Sequence, residues 1–410
     1  MLMTASDSSD RDPAFRFEYE PATVRFGAGC IDDLEGELEA QGLERALVVC
    51  GSTVGSTPDV IEPVRTGLGD RLAGVFDETT PTKRLATAID GRERLRMDDA
   101  DVLVSLGGGS SLDVAKVISI LAASDRTAQE VATEFAETGT ITVPESGLVP
   151  IVAIPTTLAG ADLSMVAGVT ASPESGLVDE EIGGGIADPG LMPAAAVYDP
   201  ELIATTPASI LAGSAMNGFD KGIETLYARN ATPITDATAR HGLETLQDGL
   251  RAFDDGERDI GTFETILEGV VLVQYGISRP GETTASIVHA FGHGLTRTDD
   301  VQQGAAHGIV VPHVLEYLFE SDGVDARAGM LADALGVGDA ADHEAAVVEA
   351  VTEIRDGLGL PSRLRDVDGP DPEAFTAVAE AILNDAFMAN APPGLEPTVD
   401  EIEGVLERAW

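Results

Sequence analysis

Lysine is nearly missing from this chain: 410 residues carry it only at Lys83, Lys116 and Lys221, and the remaining strong cations are all arginine. Positive charge of any kind is scarce, with 71 Asp and Glu against 25 Lys and Arg and a formal net charge of -46. Nucleic acid and anionic membrane surfaces demand clustered basic side chains, so neither is expected as a partner. The acidic residues are spread along the whole chain instead of forming a tail. Such a like-charged, strongly solvated surface suits a halophilic protein, because concentrated counterions screen its self-repulsion. Cysteine is almost absent too. Cys30 and Cys50 are too few for a disulfide framework and are not spaced as a zinc pair, so they read as buried thiols in a reducing compartment. Long apolar runs are missing, and the opening M-L-M-T-A-S-D-S-S-D-R-D has no basic region followed by an apolar core. A soluble, cytoplasmic protein is expected.

With 43% hydrophobic residues, the chain is long enough for two domains with separate cores. Residues 1–14 are polar and read as a disordered tail, and Phe15 to Phe26 alternates as one or two strands would. Ala46–Cys50, Leu72–Phe76, Asp101–Leu106, Ile151–Ile154 and Ala195–Tyr198 are short β-rich runs with helical segments between the earlier ones. Continuous apolar strands alternating with helices predict a parallel sheet covered on both faces. After Asp199-Pro200 nearly every segment has helical periodicity. The expected architecture is an α/β dinucleotide-binding domain with a parallel sheet over residues 15–199, followed by an all-helical domain over 200–410.

Three stretches carry chemistry. Gly107-Gly108-Gly109-Ser110-Ser111-Leu112-Asp113 links an apolar run to a predicted helix. Glycines there let backbone N–H groups approach an anion at a helix N-terminus, and a pyrophosphate is the natural guest. Pro155-Thr156-Thr157-Leu158-Ala159-Gly160 follows the next strand and could hydrogen-bond a ribose or phosphate, though it serves equally as a plain turn. Four of the six histidines, His289, His293, His307 and His313, fall in one short span. His289 and His293 lie one helical turn apart and His307 begins the next helix, so three imidazoles can converge to bind a metal or move a proton. His241 and His343 have no such company and read as structural or surface residues.

G-G-G-S-S-L-D-V-A-K, P-T-T-L-A-G, V-Y-D-P-E-L and H-A-F-G-H followed by A-A-H-G-I-V-V-P-H are similar, in this order, to the successive signatures of the iron-containing (group III) alcohol dehydrogenase family. The resemblance runs from about Phe17 to the C-terminal helices. It implies the dehydroquinate synthase-like fold shared by that family, with a nicotinamide cofactor in the cleft between two domains and a homodimer as the common assembly. Carried over, Gly107, Gly108, Gly109, Ser110 and Asp113 would hold the pyrophosphate, with Thr156 and Thr157 beside it. Where NAD-preferring members place an aspartate after the second strand, this chain has Gly51, so both NAD and NADP are admitted.

The resemblance implies the metal site usual in the family, a divalent metal, iron or zinc, bound through one aspartate and three histidines, the first two four residues apart on a helix. An ungapped reading puts those two positions on Asn217 and Lys221 and the others on His289 and His307, with His293 matching the proton-relay histidine. A shifted reading puts Asp220 and Glu224 at the same spacing. On the ungapped reading an ammonium stands where a dication should sit. Two such charges at ~4 Å repel by several kcal/mol in a partly buried site, so loss of the usual catalytic metal is expected; any metal would rest on His289, His307 and Asn217. Lys221, with Asn217 and His293, would then stabilise negative charge developing on a carbonyl oxygen, or hold a substrate carboxylate.

Met216-Asn217, Glu224 and Leu226-Tyr227-Ala228-Arg229 also resemble the maleylacetate reductase branch, whose members act on a keto acid without metal. A dehydroquinate synthase-like lyase and a non-catalytic nucleotide-binding protein are the alternatives of other classes, the first disfavoured by the scarcity of Lys and Arg. The charge balance predicts salt-dependent folding: helical circular dichroism should persist in concentrated KCl and collapse on dialysis into dilute buffer. A spectrum unchanged by dialysis would rule out the halophilic reading.

Overall fold

The computed structural model describes residues 14–298 and 301–410. The tail expected over residues 1–14 lies outside them except for Ala14, and of the segment expected to alternate from Phe15, only β1 (Thr23–Phe26) is a strand. The N-terminal half is built on a six-stranded parallel sheet. Its other members are β2 (Ala46–Gly51), β3 (Leu72–Thr79), β4 (Val102–Gly107), β5 (Ile151–Pro155) and, after the hairpin described below, β8 (Ala195–Tyr198), in the order β1-β8-β5-β4-β2-β3. The apolar runs become central strands because they have no wet face. Leu47, Val49, Leu103, Ile151 and Ala153 point into one buried layer, while Val48, Cys50, Val102, Val104, Val152 and Ile154 point into the other. This period-2 division supports helices on both sides.

One layer is covered by α1 (Leu34–Gln41) and α3 (Pro58–Leu68), which follows the short α2 (Ser52–Ser56). The other is covered by α4 (Leu85–Met97), α5 (Gly109–Ala122), α6 (Ala128–Thr138) and an antiparallel hairpin of β6 (Val166–Ala171) and β7 (Ile182–Ala187). Strand order reverses between β2 and β4: β2 pairs with β3 on one side and β4 on the other. Ligands of open α/β sheets bind at the carboxyl ends of strands at such a reversal, and β4 ends there in the glycine-rich turn.

From Pro200 onward the described residues are mostly helical: α7 (Pro200–Ile203), α8 (Ala208–Tyr227), α9 (Pro233–Asp254), α10 (Ile260–Gln274), α11 (Ile287–Thr298), α12 (Gln303–Glu320), α13 (Ala328–Ala334), α14 (His343–Gly357), α15 (Phe375–Leu383) and α16 (Val399–Ala409). A two-residue hairpin, β9 (Ser278–Arg279) with β10 (Glu282–Thr283), interrupts them. One continuous apolar core joins these helices, and Leu158 and Tyr198 of the sheet half belong to it.

Helix α8 is fastened to the 156–160 loop that follows β5. The Leu158 amide donates to Ser214 Oγ at 3.1 Å, and Thr206 Oγ1 donates to the Thr156 carbonyl at 2.7 Å. Gly218 permits the approach, since a Cβ there would lie 2.5 Å from the Leu158 carbonyl oxygen. Backbone cannot yield as a side-chain end can, so Gly218→Ala should push helix and loop apart. A cost of ~1–3 kcal/mol is expected, read as a lower thermal midpoint in concentrated salt.

Candidate active site

The inner strip of α8 carries Asp220 and Glu224, both fully buried. Helix α11 carries His289 in its first turn and α12 brings His307 to the same point. Asp220 Oδ2 lies 3.3 Å from His289 Nδ1 and 3.0 Å from His307 Nδ1. Glu224 Oε2 lies 2.5 Å from His289 Nδ1, and its Oε1 accepts the His289 backbone N–H at 3.0 Å. The two imidazoles meet edge to face with ring centroids 4.6 Å apart. Gly292 in H-A-F-G-H makes room, because a Cβ there would meet His307 Nε2 at 2.4 Å.

Charge in this cluster is finely divided. Burial opposes protonation of His289, but Glu224 and Asp220 outweigh it and lift the imidazole to about 9. Burial pushes His307 down to about 4 despite Asp220. Among the described residues, His289 Nε2, His307 Nε2 and both Asp220 oxygens are buried without a well-formed hydrogen bond. One ligand atom from each of Asp220, His289 and His307 lies within 4.8 Å of the others. Buried polar atoms left in this state are costly, and a divalent cation fits this donor set.

The structure turns Lys221 away from the histidines, against the expectation that it joins them. About 100° of rotation per residue separates Lys221 from Asp220, enough to aim it at the 156–160 loop instead of the histidines. Lys221 Nζ donates to the Ala159 carbonyl at 2.7 Å and reaches the Gly160 carbonyl at 3.4 Å and Gln274 Oε1 at 3.5 Å. Burial lowers it to about 8, against the pull of Asp162 and Asp220. Its ammonium is committed to the Ala159, Gly160 and Gln274 acceptors, and this geometry gives no support to the expectation that it stands in for a metal. Asn217 is buried, and its Oδ1 has no hydrogen-bond partner among the described residues. The acidic pair belongs to the shifted reading.

His293 lies one turn beyond His289. Its Nδ1 is 2.9 Å from Asp385 Oδ2, which also accepts from Arg297 Nη1 at 3.1 Å. Burial lowers the His293 imidazole more than Asp385 raises it. Asp385 was not legible in the sequence: it caps a short 3-10 turn, accepting the Phe387 N–H at 3.0 Å, and no motif marks it. His313 pairs with Glu316 at 3.2 Å and does not belong to the cluster. His343 bonds the Gly338 carbonyl, and His241 is exposed.

At the sheet, Gly107 ends β4 with φ 141°, a conformation that favours glycine, and Gly108 caps α5. A Cβ at Gly108 would meet Thr157 Cγ2 at 3.1 Å, and one at Gly109 would meet Ala161 Cβ at 3.3 Å. Bare backbone is thus presented at the amino end of α5, with Ser110 in its first turn. The Thr156 N–H donates to the Gly107 carbonyl at 3.0 Å, which locks the two loops together. Gly51 ends β2 beside Thr79 of β3. Asp113, one turn into α5, faces Lys83 Nζ at 2.6 Å.

The sequence matches two profiles in succession: iron-containing alcohol dehydrogenase over residues 21–200, and the C-terminal part of the Fe-containing alcohol dehydrogenase family over residues 211–410. It is 28% identical to a lactaldehyde reductase of Escherichia coli, over 95% of this chain and 98% of that one. It is also 28% identical to a maleylacetate reductase of Pseudomonas aeruginosa, over 91% and 92%. A maleylacetate reductase structure from Agrobacterium tumefaciens superposes with a TM-score of 0.76 at 25% identity, covering 97% of this chain and 98% of that one. A sulfoacetaldehyde reductase from Bifidobacterium kashiwanohense, solved with NAD+, shares the fold with a TM-score of 0.82 at 22% identity, covering 97% and 99%. The chain belongs to the iron-containing alcohol dehydrogenase family and is an oxidoreductase.

Proposed function

We propose that this protein moves a hydride between a nicotinamide cofactor and a small alcohol or carbonyl substrate, beside a divalent metal held by Asp220, His289 and His307. The convergence of these three buried groups carries the reading. Two imidazoles and a hard carboxylate oxygen suit zinc or ferrous iron. Glu224 is the carboxylate behind His289, fixing its ring through Nδ1 and leaving Nε2 as the donor atom. When bound, the nicotinamide supplies or accepts the hydride, and the metal polarises the substrate oxygen as a Lewis acid.

The chain's own residues do the rest. The Gly108-Gly109-Ser110 turn and the amino end of α5 seat the pyrophosphate, with Thr156 and Thr157 alongside. His293 donates its Nδ1 proton to Asp385, so Nε2 is the atom that exchanges a proton with the substrate hydroxyl. NAD(H) is supported by the NAD+ complex of the sulfoacetaldehyde reductase, while the uncharged Gly51 also admits NADP(H). Equal similarity to a lactaldehyde reductase and a maleylacetate reductase makes aldehydes and keto acids the first substrates to assay.

Oxidation of NADH or NADPH with such substrates, in concentrated salt, tests the proposal. Activity should fall with chelator and return with zinc or ferrous iron; turnover indifferent to chelator would defeat the metal reading. Metal analysis separates the two readings of α8. Asp220→Asn should lose bound metal, whereas Lys221→Met should retain it and instead lower the thermal midpoint.

The His293 role predicts a pH effect of definite sign. Carbonyl reduction needs protonated His293, so the rate falls as pH rises through its pKa. Asp385 raises that pKa, and Asp385→Asn should shift the falling limb to lower pH and cut kcat by ~10²-fold. An unmoved limb in the pH–rate profile would exclude His293 as the relay.

A further inference from the structure

The three lysines share one neighbourhood. Lys116 Nζ donates to the Ser164 and Val166 carbonyls at 2.6 and 2.8 Å, and Asp113, Asp162, Lys83 and Lys221 are the charges that act on it. Lys116 and Lys221 thus spend their ammonium groups on backbone carbonyls. Lys83 pairs with a carboxylate instead, Asp113, and keeps a third of its side chain exposed (33%).

Its backbone is held tightly. The Lys83 N–H donates to the Thr80 carbonyl at 3.0 Å, and its own carbonyl accepts from the Thr170 amide of β6 at 3.1 Å. The residue has φ 52°, uncommon for a side chain of this kind. β6 is bare where the ion pair lies: a Cβ at Gly168 would come within 3.2 Å of Lys83 Nζ and 3.4 Å of Asp113 Oδ2. Asp113 belongs to α5, the helix whose amino end forms the glycine-rich turn.

We infer that Lys83 is a cofactor-binding residue, its ammonium donating to the ribose–diphosphate backbone of the dinucleotide while Asp113 holds it in position. This rests on the nicotinamide reading above. A pyrophosphate brings negative charge into a protein whose formal net charge is -46. The two loops that frame its seat, residues 107–111 and 156–160, offer N–H groups and hydroxyls but contain no cationic side chain. Lys83 supplies one beside Asp113, one turn into α5. A compact ammonium sits here between Asp113 and the bare strand at Gly168, and a lysine is a point-charge donor to phosphate.

Fluorescence titration of NADH and NADPH against the wild type, Lys83→Met and Lys83→Gly, at one fixed salt concentration, tests this. Loss of one charge-assisted hydrogen bond should weaken the preferred cofactor by ~10-fold or more and raise its KM with little change in kcat. Lys83→Gly removes the side chain without straining the left-handed backbone, so its thermal midpoint should hold while its affinity falls; a purely structural lysine would give the opposite pattern. Affinity within twofold of wild type in both variants would overturn the assignment to Lys83 alone. Failure of the wild type to bind either cofactor would remove the nicotinamide reading and this inference with it.

Discussion

Two carboxylates one helical turn apart, withdrawn from water on the inner strip of α8, set the terms for the helical half of the molecule. A buried carboxylate without a partner costs several kcal/mol, so Asp220 and Glu224 require positive charge brought to them. His289 stands between them, and His307 reaches the same oxygen of Asp220, Oδ2. Bringing both imidazoles to one point forces α11 and α12 to converge on α8, which explains the missing side chain at Gly292. The apolar core of this half wraps a polar centre, and Phe291, Val288 and Ile223 pack in that core.

Much of the architecture was legible because it is written in simple periods. Unbroken apolar runs marked the central strands, since a strand covered on both faces leaves no polar alternation. The β6–β7 hairpin was not legible: Ile182-Gly183-Gly184-Gly185 has too little side chain to signal a strand, and it is held there by packing against α6. Helix α1 was missed for a similar reason, with few apolar positions in its eight residues. The histidines could be found by their crowding alone.

The acidic ligands show where sequence spacing loses its power. Asn217 with Lys221 and Asp220 with Glu224 have the same i, i+4 separation, and both pairs lie on one helix. Spacing says that two side chains share a strip; it does not say which strip faces the histidines. The three-residue offset between the pairs turns one strip about 60° from the other, and the orientation is fixed by Gly218 against Leu158 and by the apolar residues on the opposite side of α8.

That same orientation makes α8 a party wall. Asp220 faces the acid–imidazole cluster and Lys221, the next residue, fastens the loop that follows β5. Their α-carbons are 3.80 Å apart by covalent geometry, so the offset between the cluster and the loop anchor along α8 does not depend on how firmly the halves of the protein pack. Loosening between sheet and helices leaves these two positions of α8 in register with one another. The alignment of the acid–imidazole cluster with the loop anchor is thus written into a single peptide bond.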